Sequence, residues 1–245
     1  MQGKVILITG AASGIGRAAA VKLAKLGASL ALTDINEAGL LETAELTSPA
    51  DVITAELDVS NMAHCELVVN ETVQYFQRLD HVFNCAGINP TAYPLVDLPE
   101  GYFDKLMAVN VKGVFNVTKA TIPHLKEHSG CSYVNASSIL GMMPSKEMAV
   151  YCATKYAVIG FSKSMALELG PKGIRVNIIA PGNIDTPTNA SVVAGTEAIK
   201  KSEAAVSWGR LGKPDEIADV VAFLMSEGAQ YMNGSLVEIN GGMPV

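Results

Sequence analysis

"VILITGAASGIGRAAAVKLAKLG", Val5 to Gly27, runs from an apolar, β-branched stretch through three glycines into a helical pattern. Gly10, Gly14 and Gly16 have the spacing G-x-x-x-G-x-G. Residues without a Cβ let backbone N–H groups approach a pyrophosphate, and the following helix adds about half a positive charge at its N-terminus. Glycine also marks ordinary turns, so the setting between a strand and a helix gives the pattern its meaning. The segment predicts a phosphate cradle, with Ser13 and Ile15 among the residues that line it.

Eighteen residues beyond Gly16, Asp34 ends a second strand pattern, "LALTDIN". A carboxylate there can accept both hydroxyls of an adenosine ribose and repels a 2′-phosphate of nearly two negative charges. Neither Ser13 nor Ile35 is basic, and Arg17, just inside the helix, is expected to point away. The reading favours NAD(H) over NADP(H). An alternative role for Asp34 is to cap a helix beginning near Asn36.

Strand patterns recur along the chain: "KVILIT", "SLALTD", "DVITAELDV", "HVFNCAG", "SYVNASS", "RVNIIAPG" and "SLVEING". Several are apolar almost throughout, as befits strands covered on both faces. Helical patterns alternate with them, among them 14–26, 62–76, 101–127, 149–169 and 214–225. Strand–helix alternation predicts an α/β fold, a doubly wound parallel sheet with helices on both faces. No repeat or linker divides residues 1–245, so one domain is expected. A weakly helical stretch lies between the last two strand patterns. It predicts a small substrate-covering lid at about 188–212, or else an ordinary pair of surface helices.

Composition narrows the function. Hydrophobic residues make up 49% of 245 and charged residues 17%, enough for a large core. A net charge of −6 argues against a nucleic-acid partner. No apolar run reaches the roughly 20 residues of a membrane-spanning helix, and the start lacks the pattern of a signal peptide. Cys65, Cys85, Cys131 and Cys152 form no CxxC pair, which suits a reduced, cytoplasmic protein. "HLKEH" (His124–His128) has a metalloprotease-like spacing but suggests no third ligand, so no metal site is assigned.

Taken in order, "TGAASGIG" (Thr9–Gly16), "NCAG" (Asn84–Gly87), "MAVN" ending at Asn110, Ser137–Ser138, "YCATK" (Tyr151–Lys155) and "PGNIDT" (Pro181–Thr186) resemble the short-chain dehydrogenase/reductase family over nearly the whole chain. One departure is Cys85, where the family usually has Asn. The resemblance implies a Rossmann-type sheet of seven parallel strands, which puts the expected lid after the sixth, a nicotinamide cofactor, and a homotetramer. It also implies a catalytic set of Asn110, Ser138, Tyr151 and Lys155, with Ser137 structural and Asn110 binding a water that links Lys155 to solvent. Asp58, with Val59 beside it, would contact adenine. Asn84, Ala86 and Gly87 would line the cofactor's other side. Pro181, Gly182, Ile184 and Thr186 would hold the nicotinamide end and the diphosphate.

Tyr151 and Lys155, four apart on a helix, share a face. A nearby cation favours the phenolate, so Lys155 is expected to lower the tyrosine pKa from near 10 by roughly two or three, helped by an oxidised nicotinamide. Tyr151 would then pass a proton as hydride moves to or from a secondary alcohol or ketone, and Ser138 would hold the oxygen. Non-redox chemistry at Tyr151 and dinucleotide sensing without turnover are the competing functions. The loop Gly87–Gly101 and the lid are largely apolar, which predicts a hydrophobic or cyclic substrate. Met142 and Met143 are expected either in its pocket or in plain packing, and Trp208 either closing or anchoring the lid.

Overall fold

The computed structural model describes residues 1–89, 92–190 and 196–244. β1 (Val5–Thr9) leads through the glycine turn into α1 (Gly14–Lys25), β2 (Ser29–Asp34), α2 (Glu37–Leu46), β3 (Val52–Glu56), α3 (Met62–Phe76) and β4 (His81–Asn84). A loop then enters α4 (Tyr102–Met107), a π-helical turn (Ala108–Lys112) and α5 (Gly113–Thr121). The second half runs β5 (Ser132–Ala136), α6 (Ala149–Leu169), β6 (Arg175–Pro181), α7 (Pro187–Ala190), α8 (Thr196–Ala204), α9 (Pro214–Met225) and β7 (Leu236–Ile239).

All seven strands are parallel, in the order β3-β2-β1-β4-β5-β6-β7. Strand order reverses between β1 and β4, and in such sheets ligands bind in the crevice beyond the carboxyl ends at that point. Burial follows position. β1, β4 and β6 are buried throughout, whereas the edge strands β3 and β7 are only partly covered. Side chains alternate across each strand, so Ile6 and Ile8 join one core with Leu23, Ile217 and Val221, while Val5 and Leu7 join the other with Val68, Tyr133 and Leu169. The two cores bind helices to both faces of one sheet.

The expected continuous helix over 101–127 is not continuous. Its register breaks at the π-helical turn, where the Gly113 N–H bonds to the Ala108 carbonyl, and α5 gives way at Ile122–His124 to a 3₁₀ turn containing Pro123. Proline ends the α-helical hydrogen-bond ladder there. His128 lies beyond in a left-handed conformation, φ 55°, so the two histidines of "HLKEH" do not share a helical face.

Candidate active site

The glycine turn is built by close backbone packing. At Gly10 φ is 72°, and a Cβ would come within 2.9 Å of the Ala86 N and Cα; at Gly16 it would collide with the Gly10 carbonyl oxygen. Thr9 Oγ1 accepts from the N–H groups of Cys85 and Ala86, both at 3.1 Å, which fixes the β4 loop against β1. The first turn of α1 holds no acidic residue, and the N-cap Ser13 makes no side-chain capping bond. Ser13, Gly14, Ile15 and Gly16 line the cleft, with no acidic side chain in this first turn. Thr186 packs against the turn from the β6 loop, 3.3 Å from where a Gly14 Cβ would stand. This cradle fits a dinucleotide diphosphate.

Gly10, Ser13, Gly14, Ile15, Gly16, Asp34, Asp58, Val59, Ala86, Gly87, Ser138, Tyr151, Lys155, Pro181, Gly182, Ile184 and Thr186 all line one cleft of about 1230 Å³. Asp34 accepts the Ala12 N–H on one oxygen and the Asn36 N–H on the other, each at 3.1 Å. Capping of α2 falls instead to Asn36, which accepts from the Gly39 N–H. Arg17 is turned toward α2, bonded to Thr43 Oγ1 at 3.0 Å and to Glu42 at 2.8 Å.

Two expected site residues do not reach the cleft wall. Asn84 is buried, its amide donating to Asn135 Oδ1 at 2.8 Å and so tying β4 to β5. Asn110, in the π-helical turn, spends its side chain on the neighbouring loop. Its Oδ1 accepts from the Ile88 N–H at 2.8 Å, and its Nδ2 donates to the Ile88 carbonyl at 3.0 Å and to Thr154 Oγ1 at 3.3 Å. A water link from Asn110 to Lys155 would therefore use the main chain.

Ser138, Tyr151 and Lys155 come together. α6 is pinned to β5 by the Ser137 hydroxyl, which donates to the Lys155 carbonyl at 2.9 Å, and by Asn135, which donates to Ser162 at 2.8 Å. Lys155 Nζ donates to the Ala136 carbonyl at 3.2 Å and lies 5.6 Å from the centre of the Tyr151 ring. The expected acidification, which Lys155 was to share with a bound oxidised nicotinamide, does not show in the protein alone. Burial pushes the Tyr151 phenol up to about 12, opposed by a hydrogen bond with Ser138, and burial brings Lys155 down to about 8. The physical reason is that desolvation disfavours both charged forms, while the amine faces a backbone carbonyl and the face of the ring.

Other expectations also change. Met148 and Met243 line the cleft, whereas Met142 and Met143 do not. Trp208 borders a separate cavity of about 400 Å³ with Arg210, whose guanidinium lies 5.1 Å from the ring centre. Apolar Ile88, Ile139 and Leu140 share the main cleft with Asn89, Ser145, Lys146, Asn189, Lys201 and Ser202, so its wall is more polar than expected. Loop polarity averaged over 87–101 could not show which side chains turn inward. Of the expected lid, α8 supplies Lys201 and Ser202, while residues 191–195 lie outside the described residues.

The profile of a family described as enoyl-(acyl carrier protein) reductase matches residues 10–244. The chain is 37% identical over 247 residues to 3-oxoacyl-(acyl carrier protein) reductase FabG of Thermotoga maritima, covering 100% of this chain and 99% of that protein. It is 38% identical to levodione reductase of Leifsonia aquatica over 252 residues, covering 98% and 93%. A short-chain dehydrogenase from Burkholderia cenocepacia, solved with NADP, superposes with a TM-score of 0.92 at 33% identity, covering 99% and 98%. With the strand order, the glycine cradle and these full-length matches in agreement, the chain belongs to the short-chain dehydrogenase/reductase family of oxidoreductases.

Proposed function

We propose that this protein interconverts a secondary alcohol and a ketone with NAD(H), using Tyr151 as acid/base. The observation that carries the reading is the meeting of Ser138, Tyr151 and Lys155 on one wall of the cleft that the glycine cradle opens. Gly10 to Gly16 would hold the diphosphate, Asp34 and Asp58 the adenosine, and Ile184 and Thr186 the nicotinamide end. A bound nicotinamide supplies the hydride acceptor in oxidation and the hydride donor in reduction.

In oxidation Tyr151 Oη takes the alcohol proton, and in reduction it returns that proton to the carbonyl oxygen. Ser138 holds the same oxygen by a hydrogen bond that strengthens as negative charge develops. A phenol near 12 is a poor base at neutral pH, so deprotonation needs a further positive charge beside it. Lys155, still mostly charged below pH 8, relays the proton onward. Asn110 orients the Gly87–Ile88 loop against this pair. The helix α8, which brings Lys201 and Ser202 to the cleft, would cover the substrate. Appearance of the reduced-nicotinamide absorbance band with secondary alcohols tests the assignment; substrate consumed with no change in cofactor redox state would refute it.

NAD(H) preference rests on Asp34. Its carboxylate has about four acceptor positions, of which backbone N–H groups take two, leaving others for ribose hydroxyls. Arg17 is committed to Glu42 and is not placed to receive a 2′-phosphate. We expect kcat/KM for NAD⁺ to exceed that for NADP⁺ by roughly tenfold or more, and Asp34→Ser to lower that ratio by at least about tenfold. An unchanged ratio in the variant removes Asp34 as the determinant.

A homotetramer is supported by apolar side chains left exposed on α5 and α6, namely Phe115, Tyr156 and Leu167, the last 81% exposed. A monomeric sedimentation coefficient would contradict it. Four free cysteines suit a cytoplasmic location, and among the described residues no helix is long and apolar enough to cross a membrane.

A further inference from the structure

Lys201 lines the main cleft and is exposed, and among the described residues its amine has no ion-pair or hydrogen-bond partner. The other lysines of the cleft are differently placed. Lys155 donates to the Ala136 carbonyl, Lys146 lies 3.4 Å from Glu147, and Lys105 follows Asp104 on α4. Asp34 and Asp58 belong to the ends of β2 and β3, across the reversal of strand order between β1 and β4. Lys201 is thus the cleft's uncommitted cation among the described residues.

α8 holds this cation over the catalytic half of the cleft. Asn183, in the loop after β6, donates to the Ser202 carbonyl at 3.4 Å and so ties the end of α8 to that loop. β6 pairs with β5, and the Ile179 carbonyl accepts the Ser137 N–H at 2.9 Å, one residue before Ser138. Paired strands lie about 4.8 Å apart. The helix is therefore anchored beyond the strand next to the one that carries Ser138, on the side away from Asp34 and Asp58.

A substrate entering beneath α8 takes water from the Lys201 amine. An ammonium group that loses water without gaining a partner is costly, and among the described residues no carboxylate is paired with this one. An anion on the substrate supplies the partner. We propose that Lys201 is a specificity-determining residue that holds a carboxylate of the substrate, at the end remote from the reacting carbon. The substrate class is then a hydroxy acid or oxo acid, on a compact frame that packs against the apolar lining of Ile139, Leu140 and Met148. The inference rests on the oxidoreductase reading above and deepens it.

The test compares kcat/KM with NAD⁺ for the cis and trans isomers of 3- and 4-hydroxycyclohexanecarboxylate and for their methyl esters, in wild type, Lys201→Met and Lys201→Arg. The wild type should favour at least one acid over its ester by roughly tenfold or more, and about 0.5 M salt should shrink that preference. Lys201→Met, which keeps an apolar stem, should bring the acid-to-ester ratio to near one, and Lys201→Arg should retain most of it. Because each ratio is taken within one variant, losses of folded protein or of cofactor affinity cancel. Three results would overturn this inference alone: equal ratios in wild type and Lys201→Met, a wild type that prefers the esters, or acids that fail while other secondary alcohols reduce NAD⁺. If no secondary alcohol reduces NAD⁺, the oxidoreductase reading fails and this inference falls with it.

Discussion

Replacing Tyr151 with Phe should lower kcat/KM for alcohol oxidation by about a hundred- to ten-thousand-fold, the range spanned by positioned acid/base groups. The fold should survive. The ring packs with Leu106, Met148, Val150 and Cys152, and Phe keeps that contact while removing only the oxygen and its bond with Ser138. Dinucleotide affinity should stay within about threefold of wild type, since the glycine cradle is untouched. Steady-state kinetics with a parallel titration of cofactor fluorescence separates the two effects. A Phe variant of full activity would remove Tyr151 from the chemistry, and one unable to bind dinucleotide would show that the substitution acts through structure.

The second large effect is expected at Gly16. A Cβ there would collide with the Gly10 carbonyl oxygen and stand 2.7 Å from its carbon, with backbone as the obstacle. Neither side can yield without opening the turn. Gly16→Ala should therefore weaken dinucleotide binding by more than about a hundredfold and destabilise the fold by roughly 1–3 kcal/mol, as overpacking does. Gly160→Ala, in α6, is the control: a Cβ there meets nothing within 4 Å. It should leave dinucleotide binding unchanged, because α6 at this point lies away from the cradle. Comparing cofactor dissociation constants and urea midpoints for the pair checks the claim; a Gly16→Ala protein with wild-type affinity would defeat it.

Local pattern was enough to read the sheet. β1, β4 and β6 are apolar throughout because helices cover both faces, and that run is visible in sequence. α3, α6 and α9 were legible at both ends from their helical pattern. The break at Ala108–Lys112 was not, because a π-helical turn shifts register without requiring glycine or proline.

At the site, the glycine spacing and the Tyr151/Lys155 interval identified which residues gather, since both are local. What they could not convey depends on tertiary surroundings. Asn84 and Asn110 look alike in sequence to cleft residues, but one is held by Asn135 and the other by Ile88. The relation between Tyr151 and Lys155 also changed, because spacing shows proximity and not the cost of desolvating both groups.

That relation gives the most direct test. A phenolate difference titration, wild type minus Tyr151→Phe, should place the Tyr151 ionisation near 12 for the protein alone. With saturating NAD⁺ the midpoint should fall by roughly two or more, because a positive charge beside the ring favours the phenolate; NADH should produce no such fall. A midpoint that does not move with NAD⁺, or a signal that persists in the Phe variant, would contradict proton transfer through a Tyr151 phenolate raised by burial and released by the oxidised cofactor.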